Sequence, residues 1–271
     1  MLGLEQKKLF LFDIDGTLAV GNHLFEGSRE LLEYIEYIGG NAYFITNNST
    51  KSNRDYVKKF DKWKLSVKEE QFITSGYMAV RYLDRHFKNR KIFVLGTNSY
   101  LSELRRQGVW VTEEADEEVA AVLVAYDSEL NYQKLVNACS LLMRPEIIYL
   151  ATNPDLCCPA SFGFIPDCGA ICEMLRTSVY RTPKYLGKPS KEVVELCLTQ
   201  SGFSRAETLV VGDRLYTDIA CGISGGVDTC VVFTGEAKRA DLKTTVYRPT
   251  YALEDVRELY RKACKNHSGV L

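Results

Sequence analysis

The chain alternates between short runs of consecutive apolar residues and longer stretches in which apolar positions recur every three or four residues. Leu9-Phe10-Leu11-Phe12 is a four-residue apolar run that stops abruptly at Asp13-Ile14-Asp15-Gly16-Thr17, the pattern of a buried strand with acids at its carboxyl end. Leu31, Leu32, Ile35 and Ile38 follow at helical spacing, and Gly39-Gly40 ends that helix before a second strand, Ala42-Tyr43-Phe44-Ile45. This strand runs into Thr46-Asn47-Asn48-Ser49-Thr50, and a polar-faced helix carrying Tyr56, Val57 and Phe60 begins just after. The same alternation predicts helix 78–87, strand 92–95, helix 100–107, strand 119–125, helix 132–143, strand 147–151 and a helix near 170–179. Beyond Gly187-Lys188-Pro189-Ser190 it predicts a helix through 193–198 and a strand 208–211 that ends in Gly212-Asp213-Arg214. A helix around 218–223, a strand 227–233 and a last helix from about 253 to 264 complete the series.

Strands alternating with helices predict an α/β fold, a doubly wound parallel sheet. At 271 residues the chain has room for a core plus a smaller domain. The expected division is a core of residues 1–75 and 183–271 with an inserted α/β domain at 76–182, although no Gly- or Ser-rich linker marks the borders.

Composition narrows the function classes. Hydrophobic residues make up 46% and charged residues 25%, enough to bury a packed core. Lys plus Arg number 34 against 35 Asp plus Glu, so no global charge draws the chain to nucleic acid or an acidic membrane, and a small molecule fits better as partner. No segment reads as a signal peptide or membrane span, and the expected location is the cytoplasm. Nine cysteines, an odd number without a C-x-x-C pair, and three scattered histidines argue against a disulfide framework or a zinc site. Sequons at Asn47, Asn48 and Asn266 would matter only after secretion.

In open parallel sheets, ligands bind beyond the carboxyl ends of the strands, which is where Asp13, Asp15, Thr46 and Asp213 fall. Asp13 and Asp15, one residue apart, can serve as a nucleophile and a general acid, or be an ordinary turn. Thr46 and the amides of Asn47 and Asn48 can hold phosphate oxygens at a strand-to-helix junction, whereas Asn48, Ser49 or Thr50 can equally cap the helix. Lys188 can neutralise a phosphoryl group or sit on a solvated turn. Asp213 and Asp218 can converge on one hard cation, for which Mg2+ is the natural occupant. Asp13, a main-chain carbonyl such as that of Asp15, and Asp213 would be its ligands, with Asp218 orienting them. No Walker loop and no G-x-G-x-x-G occurs, which removes two other nucleotide-handling classes.

Taken together, Asp13-Ile14-Asp15-Gly16-Thr17, Thr46-Asn47-Asn48, Lys188-Pro189 and Gly212-Asp213 through Asp218 resemble the four ordered motifs of the haloacid dehalogenase superfamily. The insert resembles the type-two cap of its nitrophenylphosphatase (NagD-like) subfamily. Thr152-Asn153-Pro154-Asp155 and Thr234-Gly235-Glu236 are similar to recurrent segments there, and Cys168 departs from a common glycine. The resemblance implies an Mg2+-dependent phosphatase for a small phosphorylated metabolite. In it Asp13 is nucleophile, Asp15 is acid then base, and Thr46, Lys188 and Asn48 hold the phosphoryl group, while Asp213 completes the metal site. It further implies a cap loop near Asn153, Asp155 and Phe162 that selects the leaving group, with contributions from Lys184 and Tyr185, and a symmetric pair of chains joined through the caps. Asp15 points away from carbon-halogen chemistry. A phospho-ligand-binding protein without turnover and a phosphotransferase or mutase are the competing readings of the same fold.

Overall fold

Two parallel sheets organise a computed structural model of the chain, which describes residues 2–48, 53–160 and 162–264. Ser49, Thr50 and the Asn266 sequon lie outside the described residues. The chain divides into one unit of Met1–Thr46, Asn53–Ile73 and Lys188–Leu271 and a second of Asn47–Ser52 and Thr74–Gly187.

The first unit is built on a six-stranded sheet, in the order Tyr251–Leu253, Asp228–Val232, Thr208–Gly212, Leu9–Phe12, Asn41–Thr46, Phe72–Thr74. Leu9–Phe12 lies inside the sheet and pairs in parallel on both sides, with Phe12 opposite Val211 and Phe44. All four of its residues are fully buried, which is why the sequence shows an unbroken apolar run rather than an alternation. Parallel pairing in this register brings the carboxyl ends of three adjacent strands to one edge, and Asp13, Thr46 and Asp213 lie there. The Ser28–Tyr37 helix buries Leu31, Tyr34 and Ile35, positions on one helical face, and packs against the Val256–Ala263 helix. Behind it the chain must pass close to Lys8, because a Cβ on Gly40 would lie 2.5 Å from the Lys8 carbonyl oxygen.

The second unit carries a five-stranded sheet in the order Lys184–Tyr185, Ile148–Ala151, Val119–Val124, Lys91–Leu95, Trp110–Thr112, with every pairing parallel. Alternate residues of its strands feed two cores. Phe93, Leu95, Val122 and Val124 pack with Leu141, Ile171 and Leu175, whereas Ile92, Val94, Ala121 and Leu123 pack with Leu83, Leu101 and Leu104. Both faces are thus covered by helices, again accounting for continuous apolar strands. Side-chain caps start the helices: Thr74, Thr97 and Asn131 accept from the amides of Tyr77, Tyr100 and Lys134 at 3.0, 3.2 and 3.1 Å. An antiparallel hairpin, Cys157–Ala160 with Gly163–Pro166, completes the unit.

The α/β expectation holds in both sheets, with differences at particular elements. Lys184–Tyr185 pairs with Ile148–Ala151, so the second unit runs to Gly187, past the 182 read from the sequence. Leu253 closes the edge strand of the first sheet, and the last helix begins at Val256, where Asp255 caps the Glu258 amide at 2.7 Å. The helix expected around 218–223 is a π-helical turn, Leu215–Ile219, followed by the short α-helix Ala220–Ser224. Among the described residues no helix is long and apolar enough to cross a membrane.

Candidate active site

Asp13 extends the central strand by one residue, its amide donating to the Val211 carbonyl at 2.8 Å, so the sheet ladder itself aims its side chain beyond the strand end. The side chain meets Lys188, whose Nζ lies 2.5 Å from Asp13 Oδ1 and 2.5 Å from Asp218 Oδ1. Lys188 is 3% exposed and Asp218 fully buried. The other oxygen of Asp218 accepts from the Arg214 amide at 3.0 Å, and this bond closes the π-helical turn over the end of the Thr208–Gly212 strand. Both Asp218 oxygens are therefore engaged, one by Lys188 and one by the Arg214 amide.

Asp213 is fixed from the opposite side by Thr234-Gly235-Glu236. Its Oδ2 accepts from the Glu236 amide at 2.7 Å and its carbonyl from the Ala237 amide at 2.9 Å. Thr234 Oγ1 donates to the Gly16 carbonyl at 2.6 Å, tying this loop to the turn after Asp15. Glycine is required twice here. A Cβ on Gly235 would fall 1.9 Å from Asp213 Oδ2, and Gly16, at φ +96°, would place one 2.6 Å from the same atom.

Three carboxylates around one ammonium leave the centre short of positive charge, and the titration shifts report it. Burial pushes the Asp13 carboxyl well above the ordinary range, Lys188 pulls it back, and Asp218 and Asp213 push it up again. Burial, then Asp218, raises Asp213 to about 6 against the downward pull of the Glu236 amide. At Lys188, burial opposes the charge, but the attraction and hydrogen bonds of Asp13 and Asp218 outweigh it and hold the ammonium above its ordinary value.

The donor set fits a hard divalent cation. Oxygens of Asp13, Asp213 and Asp218 lie within 4.8 Å of one another, and Asp213 Oδ1 is buried without a hydrogen-bond partner among the described residues. Each of the three offers one carboxylate oxygen to that point. The Asp15 side chain is not in this group: about two-fifths exposed, it turns to Lys59, with Nζ to Oδ1 at 3.0 Å.

Thr46 is buried at the end of its strand, and the half-buried Asn48 follows two residues on. Asn47, Asn153 and Asp155 form a cluster of their own in the second unit. Asp155 Oδ2 accepts from the side-chain amides of Asn47 and Asn153 at 2.7 and 2.9 Å, and Ser75 Oγ donates to the Asn47 carbonyl at 2.8 Å. Asn153 and Asp155 are each 1% exposed, so their side chains serve this network. Lys59 is the residue that the sequence reading missed. Tyr56, Phe60 and Trp63 mark the buried face of the Asn53–Lys62 helix and its end, and Lys59 lies on that face among charged neighbours that read as solvated.

Comparison with known proteins shows the family. A family model described as haloacid dehalogenase-like hydrolase matches residues 10–110, and a second, described as HAD-hydrolase-like, matches residues 185–259. The acid sugar phosphatase of Staphylococcus aureus (strain MRSA252) is 30% identical over 255 residues, 94% of this chain and 97% of the relative. The crystal structure of a 4-nitrophenylphosphatase from Thermotoga maritima superposes with a TM-score of 0.89 at 32% identity, covering 96% of this chain and 98% of the other. NagD from E. coli K-12 does so with a TM-score of 0.82 at 28% identity, covering 93% and 98%.

Proposed function

The chain belongs to the haloacid dehalogenase-like hydrolases and is a phosphatase of the NagD-like branch, and from this premise we propose that it cleaves small phosphate monoesters through a phosphoaspartate on Asp13. The observation that carries the reading is Lys188, buried and bonded to both Asp13 and Asp218, near an Asp213 oxygen that has no hydrogen-bond partner among the described residues. Mg2+ held by Asp13 and Asp213 would neutralise phosphate charge and let an anionic nucleophile approach an anionic ester.

An Asp13 carboxylate oxygen attacks phosphorus while Lys188 and Thr46 hold the non-bridging oxygens in line. As the ester P–O bond breaks, its electron pair leaves with the bridging oxygen, which takes the proton of Asp15. The Asp15 carboxylate then removes a proton from water, whose oxygen attacks phosphorus, releasing inorganic phosphate and restoring Asp13. Asn153 and Asp155 act by fixing Asn47, the residue next to Thr46 in the chain. Sugar phosphates and aryl phosphates, named for the S. aureus and T. maritima relatives, are the substrate classes to expect first. Nine free cysteines suit a reducing cytoplasm.

A phosphate-release screen over sugar, nucleotide and aryl monoesters, with Mg2+ and with chelator, tests this reading. At least one ester should turn over with the metal and none without it, and an inert protein across the screen would overturn the assignment. The pH dependence of metal binding is a second expectation. The folded pKa of Asp213 is raised, so protonated Asp213 favours the fold. In metal-free protein its contribution to stability is present below the unfolded value and is lost as pH rises through about 6. Cation and proton compete for the same oxygen, so Mg2+ affinity measured by calorimetry should weaken as pH falls through about 6, with proton release on binding.

A further inference from the structure

Asp15 has two tasks in the proposed reaction, and its backbone does little to aim it. It lies at a turn followed by Gly16 in the left-handed region, and its side chain is 41% exposed. A short carboxylate in that position has access to several rotamers, of which only those directed at the bridging oxygen transfer a proton. Among the described residues one side-chain contact restricts it, the 3.0 Å ion pair of Oδ1 with Lys59 Nζ.

Lys59 is built into its place. Its side chain is 9% exposed although it lies on a helix rich in solvated lysines. Its ammonium lies 5.1 Å from the centroid of the Trp63 ring, and Trp63 is itself held by a hydrogen bond from Nε1 to the Asn22 carbonyl at 2.7 Å. The ring edge-packs on Phe60 at 5.1 Å, and Phe60 packs on Phe44 of the strand that ends in Thr46. The lysine is thus anchored through an aromatic stack to the sheet that carries the site. Among the described residues the carboxylate within ion-pair distance of this ammonium is that of Asp15.

We infer that Lys59 is the positioning residue of the acid-base step, holding Asp15 by Oδ1 so that Oδ2 faces the ester and carries the proton. With Oδ1 held by the ammonium, Oδ2 is the oxygen left to meet the ester. In the first half-reaction the Oδ2 proton passes to the bridging oxygen as the P–O bond breaks, and in the second Oδ2 takes a proton from the attacking water. Lys59 forms and breaks no covalent bond. This role rests on the phosphatase reading above and adds a residue outside the four motifs that suggested it.

Leaving groups separate positioning of the acid from a general defect. Phenyl phosphate and 4-nitrophenyl phosphate differ by one nitro group, and the phenol leaving from the first needs protonation far more. With Mg2+ present, kcat/KM reports the steps through P–O cleavage for each ester. Lys59→Met should lower kcat/KM for phenyl phosphate by about tenfold more than for 4-nitrophenyl phosphate, a part of the 10^2–10^4-fold that a general acid supplies. Asp15→Asn should show the same selectivity, Lys59→Arg should recover most of the loss, and Lys59→Met combined with Asp15→Asn should fall no further than Asp15→Asn alone. Lys59→Gln supplies the comparison if the methionine variant does not fold. Equal losses on the two esters, or none, would overturn the inference while the phosphatase reading stands. A wild-type protein inert toward both esters and toward the wider screen would overturn the reading itself.

Discussion

Asp13→Asn is expected to leave a folded protein whose Mg2+-dependent phosphate release is lower by at least about 10^4-fold, the scale of removing a covalent nucleophile. The amide keeps the shape of the carboxylate but cannot form an acyl phosphate. It also removes one of three carboxylates packed near a single ammonium, and burial holds the Asp13 carboxyl well above its usual range. Loss of that charge relieves repulsion with Asp213 and Asp218, while Lys188 keeps its 2.5 Å contact to Asp218. Thermal stability without metal should therefore hold or rise, and the stabilisation given by Mg2+ should shrink because one of the proposed carboxylate ligands has lost its charge. Activity and stability thus move independently, which separates a missing nucleophile from a damaged fold. Substantial turnover by this variant, with a thermal midpoint at or above that of the wild type, would remove Asp13 from the nucleophile's role.

The sequence carried the site where chemistry coincides with strand ends, and lost it where contact depends on the third dimension. Leu9–Phe12 was legible because a strand covered on both faces must be apolar throughout, and a polar residue directly after such a run has little choice but to mark its exit. The same logic found Thr46 and Asp213. Lys188 was legible only through its order among the other motifs, since nothing in Gly187-Lys188-Pro189 distinguishes a buried ammonium from a solvated turn.

Lys59 shows the opposite case. Within Asn53–Lys62 the charges at 54, 55, 58, 59, 61 and 62 read as a solvated face, and only the partner at Asp15 reveals why one of them is buried. Edge strands such as Tyr251–Leu253 and Trp110–Thr112 were missed for a related reason: three residues paired on one side and partly exposed carry too little apolar pattern to register. The π-helical turn at Leu215–Ile219 is closed by a bond from the Arg214 backbone amide to the Asp218 carboxylate, a detail without periodicity.

Replacing Lys188 by methionine should produce the largest loss of stability. The variant keeps Asp13, Asp213 and Asp218 within 4.8 Å of one another but removes the ammonium that two of them contact. Leaving a buried ion pair without one partner costs about 3–5 kcal/mol, and part of that cost is avoided if carboxyls take up protons. The deficit should therefore be largest at neutral pH and smaller in acid, where neutral carboxyls no longer need a cation. Mg2+ should stabilise this variant more than it stabilises the wild type, since a divalent ion supplies charge that the lysine no longer does. Adding Asp218→Asn should recover part of the loss by removing the acid that Lys188 paired with. Urea denaturation at pH 7 and pH 5, with and without Mg2+, measures all four quantities. A Lys188→Met protein as stable as the wild type under every condition would mean that the three acids do not share a charged centre.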